Sequence, residues 1–229
     1  MDNSKEKKQQ CYICGAPFYS VEHAPARSFF PKDKRNNLIT VPSCKKHNED
    51  MSIDDDYVRL IIASSITNNE VAEAHFIKKC IKTLQRSEAL TKTLASGSKY
   101  VLVSKGKEPP HQELAIKIDR NRFNKVMCKI AYAMFYNKFG EVWQRKFNIG
   151  TEYLLNEDNT NEPLGKLIQE AKKLIDFSSI KFEGSEPTVF KYAFMPCNGS
   201  KFDQILIMVF YEGFEVWCFT DPTSNSPEL

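Results

Sequence analysis

Two short pairs constrain this chain more than any other feature: Cys11-x-x-Cys14 and Cys44-x-x-His47. Zinc in a structural site takes four sulfur or nitrogen donors in a closed tetrahedron, and x-x spacing lets two donors from one turn reach the same ion. The spacing predicts a zinc clamp with Cys11, Cys14, Cys44 and His47 as ligands. The bland alternative is ordinary core cysteines and a coincidental second pair. The segment between the pairs is longer than in a compact DNA-reading finger. Clamped at its base, it has room to carry something else.

Inside the clamp stands Glu22-His23, followed by Ala24-Pro25. A residue before proline is pushed out of the helical region, so the chain is expected to extend or turn there. A carboxylate binds a hard divalent cation through oxygen. A neutral imidazole beside it takes a proton from water. Alone, such a pair reads as a solvated loop; within a clamp it reads as chemistry. Residues 24–47 also hold Arg27, Lys32, Lys34, Arg35, Lys45 and Lys46 against the single acid Asp33. Phosphates dock on such a loop. The alternative is an ordinary solvated face.

These residues resemble the HNH, or ββα-metal, endonuclease family, over 11–48 and loosely to about residue 60. The resemblance implies a role for each match. His23, ending the first strand, is the general base. Asn37 orients that imidazole, with Asn36 as the alternative. Asn48, on the helix, binds the catalytic metal, and Glu22 is its second ligand where the family often has Asp. Mg2+ or Mn2+ is the implied catalytic ion, and the zinc is structural. A histidine at position 47 replaces the commoner fourth cysteine. DNA is the family's default substrate and RNA an occasional one. Arg27, Lys32, Lys34 and Arg35 are then the expected nucleic-acid contacts. Two other readings stand beside this one. The first is a non-catalytic zinc-binding adaptor that keeps the ββα shape. The second is a nuclease effector of a larger complex, such as a bacterial anti-phage defence system, docking a partner protein through its C-terminal region.

The rest of the chain reads as α+β: the zinc-clamped module over 1–66, then helices and a C-terminal antiparallel sheet over 67–229. Composition is that of a globular protein, 41% hydrophobic and 27% charged, and a net charge of +3 does not by itself prove a nucleic-acid partner. No apolar run reaches membrane-spanning length without charges. Seven cysteines is an odd number, and Cys80, Cys128, Cys197 and Cys218 read as buried thiols, a reducing-compartment pattern that points to the cytoplasm.

Helices are expected over 53–66, 70–95, 120–138 and 163–176. The acids at 49, 50 and 54–56 read as helix-start charges rather than metal ligands. Strands are expected at 100–103 and 114–118 around a polar turn at 105–111. Three more fall at 188–194, 204–211 and 214–219, with a hairpin at Glu212-Gly213. The run Ile205–Phe210 is apolar on both faces and predicts a covered central strand. Phe190, Tyr192, Phe194, Phe210, Tyr211 and Trp217 read as core, with a base-stacking platform as the alternative.

Overall fold

The computed structural model describes residues 10–49, 52–104, 109–152, 163–197 and 203–224. Residues 105–108 of the expected polar turn lie outside them, as do Asp50 and the side chain of Glu49.

The architecture is α+β. A hairpin of β1 (Ser20–His23) and β2 (Thr40–Ser43) opens the fold, pairing Glu22 with Val41 and His23 with Thr40. The short helix α1 (Lys45–Glu49) and then α2 (Ser52–Ala63) follow directly. A helix with apolar residues on one stripe would leave the other side wet. In α2, however, every residue from Tyr57 to Ala63 is buried, including Arg59, because other elements cover it on several sides.

The long helix expected over 70–95 is three helices: α3 (Glu70–His75), α4 (Ile81–Arg86) and α5 (Glu88–Ala95). A π-helical turn, Phe76–Cys80, joins the first two. Ser87 breaks the run and caps the next helix, its hydroxyl accepting from the Leu90 N–H at 3.3 Å. Two strands, β3 (Lys99–Val103) and β4 (His111–Ala115), form a separate hairpin. The second strand begins three residues earlier than expected, so His111 sits on it rather than in a turn. The helix α6 (Arg120–Phe139) starts on Asp119, whose carboxylate accepts from the Arg122 N–H, and stops at Gly140.

The C-terminal sheet has five strands in the order β5-β9-β8-β7-β6. These are β5 (Phe147–Gly150), β6 (Glu183–Glu186), β7 (Phe190–Pro196), β8 (Gln204–Phe210) and β9 (Phe214–Thr220). The edge strands β5 and β6, of four residues each, are too short to be seen in the sequence. The apolar strand β8 is central, as expected. Its Leu206, Met208 and Phe210 face the main core, while Ile207 and Val209 face α7 (Pro163–Leu174) through Ile168. The β8–β9 turn sits one residue earlier than expected. Tyr211 and Glu212 take φ of 47° and 60°, and the Gly213 N–H bonds the Phe210 carbonyl at 3.1 Å. Gly213 is needed for another reason: a Cβ there would lie 1.8 Å from the Thr67 carbonyl oxygen.

Of the six aromatics, Phe190, Tyr192, Phe210, Tyr211 and Trp217 are buried and Phe194 packs partly buried against the core, so they are fold residues. Cys80, Cys128 and Cys218 are buried thiols, but Cys197 is exposed, contrary to expectation, because β7 ends just before it. One core joins Tyr12, Phe29 and Val41 of the first module to Val126, Phe135 and Met208 of the rest. Among the described residues no helix is long and apolar enough to cross a membrane.

Candidate metal centre

The first pair sits on a tight knuckle. Cys11 donates its N–H to the Ala16 carbonyl at 2.8 Å, and the Gly15 N–H returns to the Cys11 carbonyl at 2.9 Å. Gly15 takes φ of 68°, a conformation that costs a side-chain-bearing residue energy. The Tyr12 N–H bonds the Pro42 carbonyl at 2.9 Å, which fastens the knuckle to β2. The second pair is placed by the end of that same strand. Cys44 follows Ser43, and His47 stands one turn along α1, where the Asn48 N–H bonds the Cys44 carbonyl at 3.1 Å.

The four donors converge. Cys11 Sγ lies 3.3 Å from His47 Nδ1, Cys44 Sγ 3.4 Å from the same nitrogen, and Cys14 Sγ 3.9 Å from Cys44 Sγ. All four donor atoms lie within 4.8 Å of one another. A tetrahedron with Zn–S of about 2.3 Å has S–S edges of about 3.8 Å, so the spacing fits such an ion. The electrostatics agree. Burial works against ionising Cys11, but backbone N–H groups of Cys14, Ile13 and Cys44 outweigh it and hold that thiol below its ordinary range. Burial, with the Cys11 and Cys44 sulfurs, pushes Cys14 up to about 11. Without a cation the cluster resists a second thiolate; a bound metal removes that resistance. The cluster can hold a metal such as zinc.

The other expected site residues are placed as follows. His23 ends β1 half-buried, and its Nδ1 is buried with no hydrogen-bond partner. Neither Asn36 nor Asn37 therefore orients the ring through that nitrogen. Both are exposed, and Asn37 takes a left-handed turn with φ of 53°. Burial, then the charge of Arg27, lowers the His23 pKa, so the imidazole is neutral near pH 7. Asn48 donates from Nδ2 to the Ser20 hydroxyl at the start of β1. Arg27 and Lys32 are exposed, Lys34 pairs with Glu186 at 3.7 Å, and half-buried Arg35 donates from Nε to the Phe30 carbonyl at 3.0 Å.

Glu22 is buried, and both its oxygens are engaged. Lys129 Nζ of α6 lies 3.0 Å from Oε1, and the Tyr12 hydroxyl donates to Oε2 at 3.1 Å. The same ammonium lies 2.7 Å from Asp55 of α2. Burial raises both carboxyl pKa values. Burial would also lower Lys129, but Asp55 and Glu22 outweigh it and keep the amine above its ordinary range. An ammonium thus lies between two carboxylates where the resemblance expects a divalent ion. Glu22 and Asn48 do not present a second metal site in this arrangement. The helix-start acid Asp54 is likewise held, by Arg122 at 2.6 Å.

Sequence reasoning missed Lys129 and Arg59. Each is a lone charge inside an apolar run, Val-Met-Cys-Lys-Ile-Ala and Tyr-Val-Arg-Leu-Ile-Ile. A charge in such a run is buried with its neighbours and must be paired, which was the available signal. Comparison with protein-family models, with curated proteins and with solved structures finds no match for this chain.

Proposed function

We propose that this chain is a zinc-clamped nuclease that hydrolyses phosphodiester bonds, with DNA as the first substrate to test and RNA as the second. One observation carries the reading. A Cys3His cluster fastens both ends of a β-hairpin whose first strand ends in His23, beside the cationic 27–35 segment. The order of hairpin then helix agrees with the family resemblance. In this reading the zinc is structural, since its four ligands leave no open position. His23 accepts a proton from water, and the hydroxide attacks phosphorus as the bond to the leaving sugar oxygen breaks. Arg27 faces the developing phosphoryl charge. Any Mg2+ or Mn2+ requirement rests on the resemblance, because Glu22 is held by Lys129 and Tyr12; no step is assigned to that ion.

Purified zinc-loaded protein, plasmid DNA or RNA, and each divalent ion in turn form the test, beside a His23→Ala control. Cleavage by the wild type that the control loses supports the nuclease. Equal rates sink it. A second reading, a zinc-binding adaptor without chemistry, is favoured by the pairing of Glu22 with Lys129 and by the unpartnered Nδ1 of His23. DNA binding without cleavage under every ion selects it. Docking to a partner of a defence complex rests on the resemblance alone and is checked by oligomeric state with and without candidate partners.

A further inference from the structure

A second cationic cluster is built on α2 and the π-helical turn after α3. Arg59 of α2 is 1% exposed. Its Nη1 donates to Cys80 Sγ at 3.7 Å, and its Nη2 donates to the Thr83 hydroxyl at 3.2 Å and pairs with Asp56 at 3.1 Å. Its Nε is buried and has no partner. His75, the last residue of α3, is 4% exposed, and neither ring nitrogen has a partner. Its ring meets the edge of Tyr211, whose hydroxyl donates to the Phe29 carbonyl just ahead of Arg35. The π-helical turn then brings Cys80 onto Arg59, with Lys79 next to it in the turn. Turns of that kind recur at functional sites.

Three buried donors or acceptors without partners are costly, at about 1–3 kcal/mol each. Cations packed together add repulsion. After burial, Arg59, Lys79 and Arg35 pull the His75 pKa down to about 4, with Asp33 opposing. Burial, then Arg59 and Arg35, lowers Lys79, with Asp56 opposing. Burial, then Arg27 and Arg59, lowers Arg35. Arg27 is also the charge that acts on His23. Arg59 and His75 are buried and Lys79 and Arg35 half-buried, and Arg35 Nε holds the Phe30 carbonyl next to the Phe29 carbonyl held by Tyr211, the ring that His75 meets.

We propose that Arg59, His75, Lys79 and Arg35 form a phosphate-binding site that holds one backbone phosphate of a nucleic-acid strand while a neighbouring phosphodiester lies at His23. A tetrahedral oxyanion supplies acceptors for the unpartnered Arg59 Nε and for the imidazole N–H, and it offsets the repulsion among the cations. The phosphate chemistry stands on this cluster alone; the strand as its source rests on the nuclease reading.

The test follows the His75 imidazole by NMR in the full zinc-loaded chain, its resonance assigned by its loss in His75→Phe. Inorganic phosphate and a short single-stranded oligonucleotide are the probes. Each is expected to raise the His75 pKa by about one pH unit or more, because a nearby anion favours the charged ring. Lys79→Gln should weaken both probes about tenfold, as loss of one charge-assisted hydrogen bond does, whereas Lys78→Gln, at the exposed neighbouring position, should not. A His75 resonance unmoved by either probe overturns the site. Equal weakening by both lysine variants also overturns it, since that marks diffuse attraction. Phosphate binding without oligonucleotide binding overturns the strand as ligand. Loss of cleavage in every assay, with both probes still bound at His75, would sink the nuclease and leave this site standing.

Discussion

His75 shows how a single side chain reports on the physics around it. Its pKa is about 4 in the fold, against an ordinary 6.5. A histidine depressed in this way is neutral in the folded chain and charges more readily when unfolded. Its contribution to stability is therefore intact above pH 6.5, falls as pH drops through the window between 6.5 and 4, and stays lost below it. His75→Phe keeps an aromatic ring against Tyr211 and removes both unpartnered nitrogens. The variant should be more stable than wild type at neutral pH by about 1–3 kcal/mol, with a larger gap at pH 5. Urea melts at the two pH values check it, and an unchanged gap contradicts the burial described. Cys14 tests the metal centre at the same scale. Cys14→Ser removes one of four converging donors; where such a cluster binds metal, binding is coupled to folding, so zinc content and melting temperature should fall together. Wild-type protein free of zinc by metal analysis would rule out the clamp. The Cys3His cluster was legible because x-x spacing is local. The partners of Glu22 were not, since Lys129 lies more than a hundred residues away and only packing brings them together.

At the scale of elements, α6 is the beam between the first module and the sheet. Its Lys129 ties Glu22 of β1 to Asp55 of α2, while its apolar residues meet the main core. Removing one partner of a buried ion pair leaves an uncompensated charge. Lys129→Met should cost about 3–5 kcal/mol, and adding Glu22→Gln and Asp55→Asn should recover a large part of it. Recovery that fails in equilibrium unfolding would mean that the three groups do not act as a unit. The cationic segment is a separate lever. Arg27, Lys32 and Arg35 replaced together by Ala should weaken DNA binding and flatten its salt dependence, by roughly one in slope for each phosphate no longer neutralised. An unchanged slope moves the binding surface elsewhere. Long elements with strong patterns, α6 and the central strand β8, were legible in advance. The break in the 70–95 helix was not, because the π turn and the Ser87 cap leave the apolar spacing nearly continuous. The edge strands β5 and β6 take their order from β9 and β7 rather than from their own composition.

In the whole molecule a single core joins the hairpin that carries the Cys3His cluster and His23 to the C-terminal sheet. The nuclease reading stands or falls on what His23 does there. Burial and Arg27 place its pKa below the ordinary 6.5. A base with that pKa is competent at neutral pH and fails only in acid, since a protonated ring cannot accept the water's proton. The most direct measurement is the initial rate of plasmid cleavage from pH 5 to pH 8 by wild type and by His23→Ala, with zinc content and DNA affinity matched. The wild-type rate should be flat near neutrality and fall below a midpoint under 6.5. The variant should be slower by about 10²–10⁴-fold and lack that midpoint. Equal rates for the two proteins across this range would contradict the nuclease account.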